Sequence, residues 1–296
     1  MSERNTILLS IYATSIFAVL GVGWGIYASS GMIIFDGIYS LISGGLSGLA
    51  LVVLKQLETS QEDDRFPFGK AHFEPLLIIF KSLMLIGMCS YSAINSFGEL
   101  LSGGREVETG SALLYALFST VACLVITKII GKNNQAIGSD LLLAEKNQWM
   151  GDTLLSVGVL VGFSFAFLLE GGSYSYIVPY ADPAMVVIAS TLFIIIPFKS
   201  FIAASKEMIF YQSNNPDLDP IEEIALQIAK ELSAEHKIRM VNIGRELSIE
   251  VNFLLPERHF LVSEMDAIRN RIADQATAID KEHWVNVSFT QQKAWL

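Results

Sequence analysis

Charge and cysteine are scarce in this chain. Of its 296 residues 17% are charged and 52% hydrophobic, a balance that does not suit a water-soluble globule. Cys89 and Cys123 are its only cysteines. Both lie inside apolar runs, so neither a disulfide framework nor a cysteine-rich zinc module is available, and they read as packing residues. Lysine and arginine number 20 against 30 aspartate and glutamate, a formal net charge of -10, which lacks the basic footprint of a nucleic-acid binder. The stretch from Gly103 to Gly110 has no Gly-Lys-Ser/Thr, so nothing supports ATP-driven work. His72-Phe73-Glu74 has no second histidine one turn on, so a zinc-protease motif is missing as well. The chain is not read as an enzyme, and no permanently bound cofactor is expected.

What is abundant is uninterrupted apolar sequence, with a mean hydropathy of +0.46. Six runs of roughly 20 or more residues precede Tyr211, each long enough to cross a hydrocarbon core about 30 Å thick. They fall near Thr6–Ala28, Met32–Leu54, Glu74–Leu101, Ser111–Ile130, Leu143–Leu169 and Asp182–Ile209. The first exceeds the apolar part of a signal peptide, about 7 to 15 residues, and the second follows at once, so it reads as a retained helix. Arg4, Lys55, Arg65, Lys70, Lys128, Lys132, Lys146 and Lys206 fall at ends that share one side, with Arg105 alone on the other. Lys and Arg are retained preferentially in the cytoplasm, so both termini are expected there. The expected setting is a bacterial inner membrane, since no mitochondrial-type leader is visible.

After Tyr211 the cluster Gln212-Ser213-Asn214-Asn215-Pro216-Asp217-Leu218-Asp219-Pro220 breaks the last helix and opens a second unit. The division is therefore drawn between 1–210 and 211–296. Ile221, Ile224, Ala225, Ile228 and Leu232 recur at helical spacing behind Asp219 and Pro220, a cap and first-turn pair. Ile238–Ile243 and Leu247–Leu255 read as strands, Val262–Ala278 as a second amphipathic helix and Trp284–Phe289 as a last strand. The α-β-β-α-β order predicts a small open-faced α+β domain. His236, His259 and His283 have no close Cys or His partner in the sequence and read as surface residues.

A charge at membrane depth costs several kcal/mol unless it is paired or faces water, which makes each one a functional candidate. Asp36, Ser40, Ser43 and Ser47 are spaced by four, three and four in the second run, and Gln148, Asp152 and Ser156 by four and four in the fifth. Each set shares a helix face. Facing stripes would hold a hard or borderline cation between carboxylates, amide and hydroxyls. The plainer alternative is two aspartates near aqueous ends among hydrogen-bonding serines. Lys81 and Lys199 are expected to snorkel to the interface, and Asn95 to bond a neighbouring helix. The loop from Glu62 to Glu74 sets Asp63, Asp64, His72 and Glu74 beside a membrane mouth, as a cation-attracting vestibule or as a solvated linker.

Three segments carry a family resemblance: Phe35-Asp36-Gly37-Ile38-Tyr39-Ser40, Pro67-Phe68-Gly69-Lys70-Ala71-His72-Phe73-Glu74, and Ala181-Asp182-Pro183. With six spans and an α-β-β-α-β tail, the chain resembles the cation diffusion facilitator family, proton-coupled exporters of zinc and related divalent metals. The resemblance implies an α-helical polytopic membrane protein of six transmembrane helices with a C-terminal ferredoxin-like cytoplasmic domain that pairs two copies. It also implies a tetrahedral transport site, built from an Asp-x-x-x-Asp pair on helix two and a His-x-x-x-Asp pair on helix five. By position, Asp36 and Asp152 supply one carboxylate of each pair, while Ser40 stands at the second Asp and Gln148 at the His. Losing an imidazole and a carboxylate removes the donors that suit Zn²⁺ best and leaves oxygens nearer to what Mn²⁺ or Mg²⁺ accepts. Gln148 cannot titrate, so an exchanged proton falls to Asp36 or Asp152. Asn242, Asn252, Asn286 and Ser288 occupy the tail strands where family members often carry zinc ligands, and no binuclear zinc cluster is expected there.

The expected activity is secondary efflux of a divalent metal cation, of the Zn²⁺, Mn²⁺, Fe²⁺ or Co²⁺ class, from the cytoplasm in exchange for protons, by a homodimer in a lipid bilayer. A monovalent cation/proton antiporter on the same scaffold and a non-transporting membrane scaffold or sensor are the alternatives.

Overall fold

The computed structural model describes residues 3–58, 66, 69–137, 140–211, 219–244, 246–279 and 282–296. The helices before the tail are α1 (Glu3–Tyr27), α2 (Gly31–Glu58), α3 (Phe73–Leu101), α4 (Thr109–Ile137), α5 (Asp140–Leu169), α6 (Val178–Phe193) and α7 (Ile195–Met208). The tail holds α8 (Asp219–Leu232), β1 (Glu235–Ile243), β2 (Glu246–Leu254), α9 (Val262–Thr277) and β3 (Glu282–Thr290). The chain forms two compact units, residues 1–52 with 81–199 and residues 53–80 with 200–296.

Among the described residues five stretches are long and apolar enough to cross a membrane: Asn5–Tyr27, Phe73–Leu101, Thr109–Ile137, Glu145–Leu169 and Ser175–Met208. Their mean hydropathy is 1.8 to 2.2, yet only 17 to 39% of each is buried within the protein. α2 adds the shorter apolar stretch Gly31–Leu46. Ile16, Val19, Leu154, Val161, Phe165 and Leu168 point outward, a surface that would associate in water and is at home against lipid tails. The chain is an integral membrane protein.

Within the first unit α1 and α2 form a hairpin whose backbones touch. A Cβ on Gly21 would fall 3.1 Å from the Gly37 Cα, and one on Gly37 would fall 2.7 Å from the Val22 nitrogen, so small residues are required at both contact points. α4 packs along α5, and Met32, Ile33, Phe35, Cys89, Tyr115 and Phe163 fill the space among the helices.

The sixth expected run differs in two respects. Its helix starts at Val178 rather than Asp182, with Pro179 in the first turn, where the missing N–H costs nothing. It is then interrupted at Ile194. Pro197 has no N–H to offer the Phe193 carbonyl, and its ring crowds that group. Ile194 itself keeps helical angles, φ -68° and ψ -23°, and its own N–H and carbonyl stay in i, i+4 hydrogen bonds with Ser190 and Phe198, so the break is a missing helical hydrogen bond rather than a turn.

In the second unit the sheet order is β1-β2-β3, with β1 and β2 antiparallel and β2 and β3 parallel. A parallel neighbour requires a crossover, which α9 provides. Leu247, Ile249, Val251 and Phe253 of β2 face Ile221, Ala225 and Ile228 of α8 together with Ile268 and Ile272 of α9. The α-β-β-α-β order is therefore present. The other face carries Arg239 and Glu250, 3.8 Å apart, and Asn252, which accepts a hydrogen bond from Ser288. His236 and His283 are half-buried rather than fully exposed. They pair in register with Phe253 and Leu247, and strand alternation sets them on the covered face. His259 is exposed.

Candidate cation site

The end of α2 that carries the site is fixed by an acid from α6. Asp182, 1% exposed, accepts hydrogen bonds from Ser30 Oγ (2.6 Å), Gly31 N (2.9 Å) and Met32 N (3.1 Å). It thereby satisfies first-turn N–H groups that have no partner inside the helix, and its charge sits at the positive end of the helix dipole. Arg105 Nη1 approaches the same carboxylate at 3.2 Å, and Arg105 Nη2 donates to Glu99. Asn95 Nδ2 donates to Glu99 at 3.1 Å, so Asn95 bonds within α3 rather than across to a neighbour as expected. Its amide lies one turn before that carboxylate and on the same face.

Asp36 lies in the second turn of α2, half-buried, beside the Gly37 contact with α1. The residues on either side of Asp36 in the helix pack against α6: the Phe193 ring centroid sits 6.2 Å from that of Phe35 and 4.8 Å from that of Tyr39, both edge-on. Asp152 of α5 is likewise half-buried, and it lies within the electrostatic reach of the Asp36 carboxylate. Among the described residues neither accepts a hydrogen bond nor forms an ion pair.

The remaining expected ligands divide. Ser40, one turn beyond Asp36, is half-buried, whereas Gln148 is exposed. Ser156, at 6% exposure, lies deepest. A four-residue step overshoots one helical turn by about 40°, so a stripe spaced by fours winds from the core at Ser156, through Asp152, to the surface at Gln148. The side chains of Ser43 and Ser47 lie outside the described residues, as do Asp63 and Asp64. His72 and Glu74 stand at the start of α3 and are half-buried. The His72 ring lies 4.7 Å from that of Phe73. Lys81 is half-buried and Lys199 exposed. Among the described residues no group of three or more His, Cys, Asp and Glu side chains is placed to hold a metal ion.

Two contributors were not foreseen. The first is α4, where Tyr115, Ser119, Cys123 and Thr127 repeat every four residues. Ser119 and Ser156 hydroxyls are 3.0 Å apart, Thr127 and Thr153 hydroxyls 3.3 Å, and Ser156 Oγ lies 3.9 Å from Cys123 Sγ. The spacing was legible, but the stripe carries no charge and so raised no membrane-depth penalty. The second is Glu145, a further charge neighbour of Asp152. It accepts a hydrogen bond from Ser10 of α1, while Trp149 Nε1 donates to the same Ser10 Oγ at 2.7 Å. Seven residues bring Glu145 to within about 20° of Asp152 around the helix; the four-residue pattern passed over it.

The arrangement offers two carboxylates in electrostatic reach of each other's helix, without hydrogen-bond or ion-pair partners among the described residues, together with hydroxyls from α4 and α5. Such a set of negative, hard oxygen donors is chemically suited to a cation and repels an anion.

Residues 7–209 match the family model described as the cation efflux transmembrane domain. A comparison with curated proteins finds no match.

Proposed function

As a member of the cation efflux family, this chain is a membrane transporter and not an enzyme, and we propose that it carries a divalent metal cation out of the cytoplasm in exchange for protons. In this reading all six apolar stretches span the membrane, both termini are cytoplasmic, and the setting is a bacterial inner membrane. The tail is a ferredoxin-like domain that pairs two copies. Asp36 and Asp152 are the principal ligands. Ser40 assists, and Gln148 joins them when α5 turns toward α2. Asp63, Asp64, His72 and Glu74 form a vestibule that concentrates cations before binding.

The observation that carries the reading is the pair Asp36 and Asp152, neighbouring carboxylates with no hydrogen bond or ion pair among the described residues. Unpaired acids inside a membrane bundle are costly and are retained for transport work. A site of oxygen donors suits Mn²⁺ and its neighbours better than a thiolate-rich or imidazole-rich one would. Efflux also requires binding loose enough to release the ion, which two carboxylates supply more readily than four charged ligands.

The test is flux into proteoliposomes for Zn²⁺, Mn²⁺, Fe²⁺, Co²⁺ and Na⁺ under an imposed pH gradient. Asp36→Asn and Asp152→Asn are each expected to cut divalent flux by more than the roughly 10–100-fold typical of outer-shell partners, and Asp152→Asn to remove its dependence on the gradient. Undiminished flux in both variants refutes the reading. A second reading, monovalent cation/proton exchange, is favoured by the want of a third acidic, His or Cys ligand among the described residues. Sodium flux without divalent flux selects it.

A further inference from the structure

Beside Asp36 lies a cavity of about 10 Å³, lined among others by Met32, Ile33, Tyr115, Ser119 and Ser156. That is room for roughly one water molecule. Three of the groups around it are hydroxyls, and one of them is unsatisfied. Tyr115 is 4% exposed, and its OH is buried without a hydrogen-bond partner among the described residues. It is within reach of the Asp36 charge and wedged where a Cβ on Gly21 would meet it at 2.8 Å. Buried hydroxyls are normally paired, and leaving one unpaired is costly. Ser119 and Ser156 are bonded to each other at 3.0 Å, an arrangement that still leaves lone pairs free to accept.

We propose that Tyr115, Ser119 and Ser156 form a water subsite that lets the transported cation keep one water of hydration when it binds at Asp36. The water donates to the Asp36 carboxylate or to the serine oxygens, accepts from the Tyr115 hydroxyl, and presents a lone pair to the cation. Neutral hydroxyls bind a divalent ion more weakly than carboxylates do, as with Ser40 in its assisting role, but they hold a metal-bound water well. The subsite therefore favours cations that surrender water reluctantly and take mixed oxygen shells, Mn²⁺ and Mg²⁺, over Zn²⁺, which accepts a small tetrahedral set. α4 then becomes a selectivity element, although it supplies no charge. The inference rests on Asp36 and Asp152 being cation ligands.

The test is the thermal unfolding of the full chain in detergent, titrated separately with MnCl₂ and ZnCl₂. An ion that binds the folded state raises Tm with the logarithm of one plus the ratio of ion concentration to Kd, and the concentration at which Tm begins to rise is the midpoint compared between variants. Tyr115→Phe removes the unpaired hydroxyl and keeps the ring, so the variant is expected to melt at or above the wild-type temperature without metal. Its Mn²⁺ midpoint is expected to weaken by about 10-fold or more, the scale of an outer-shell loss, with a smaller change for Zn²⁺. Ser156→Ala should weaken Mn²⁺ in the same direction and serves if Tyr115→Phe fails to fold. Unchanged Mn²⁺ midpoints in both variants overturn the subsite. If Asp36→Asn abolishes the Mn²⁺ response in that same series, the ligand reading stands and only the subsite falls. If Asp36→Asn leaves the response intact, the ligand reading falls and the subsite with it.

Discussion

Asp182 and Asp36 are both aspartates inside the same helical bundle, five residues of α2 apart in their effect, yet they stand in opposite conditions. Asp182 accepts from a hydroxyl and two backbone N–H groups and faces Arg105. Asp36 has a second carboxylate, Asp152, as its charge neighbour and no bonded partner among the described residues. A buried charge whose lone pairs are all taken holds a structure together; one left open is available to a guest. The difference between clamp and receptor thus lies in the surroundings and not in the residue type.

The sharpest way to break this contrast is to remove each acid and read stability. Asp182→Ala leaves Ser30 and two N–H groups of α2 without their acceptor and Arg105 without one of its two acids. Breaking a buried pair in this way costs about 3–5 kcal/mol, and detergent melting should show it as a large fall in Tm. Asp36→Asn removes a charge that no described residue pairs with, so the same measurement is expected to show no loss, or a gain. If the two variants melt alike, the distinction between clamp and receptor is wrong.

Arg105→Ala probes the clamp from its cationic side and should cost less, about 1–3 kcal/mol, because Asp182 keeps three of its four donors. Its side chain is 24% exposed against 2% for Asp182, so water reaches the gap that the substitution leaves. A cost equal to that of Asp182→Ala would place the weight of the cluster on the ion pair instead of the helix cap.

The contrast also shows what the sequence could disclose. Apolar length revealed the helices because membrane depth leaves little choice of pattern, and alternation revealed β2 because one face of its sheet is covered. The acids Asp36 and Asp152 stood out by their cost. Partner identity was less accessible: Asp182 was visible only as part of Ala181-Asp182-Pro183, and nothing local says that it caps a helix begun about 150 residues earlier. Tyr115 and Ser119 escaped notice because neutral hydroxyls in an apolar helix look like ordinary packing. Gln148 looked better in the sequence than in space, since a spacing of four drifts around a helix that turns every 3.6 residues.

The tail supplies the smallest test, with the same chemistry in water. Arg271 donates to both oxygens of Glu231, at 2.6 and 3.1 Å, a bidentate fork as orderly as anything around Asp182. These hydrogen bonds hold the Glu231 carboxyl below its usual range. A carboxyl lowered on folding adds stability above the unfolded glutamate value, about 4.3, and loses it as the pH falls through the folded value. Both side chains are exposed, however, so solvent and salt screen the pair. Arg271→Ala is therefore expected to lower Tm by less than Arg105→Ala at pH 7. The difference from wild type should close both in acid and as salt is raised toward about 1 M, where the screening length falls to roughly 3 Å. A loss as large as that of Arg105→Ala, insensitive to salt, would mean that pairing geometry rather than removal from water sets the strength of these acids, and Asp182 would then owe nothing to its burial.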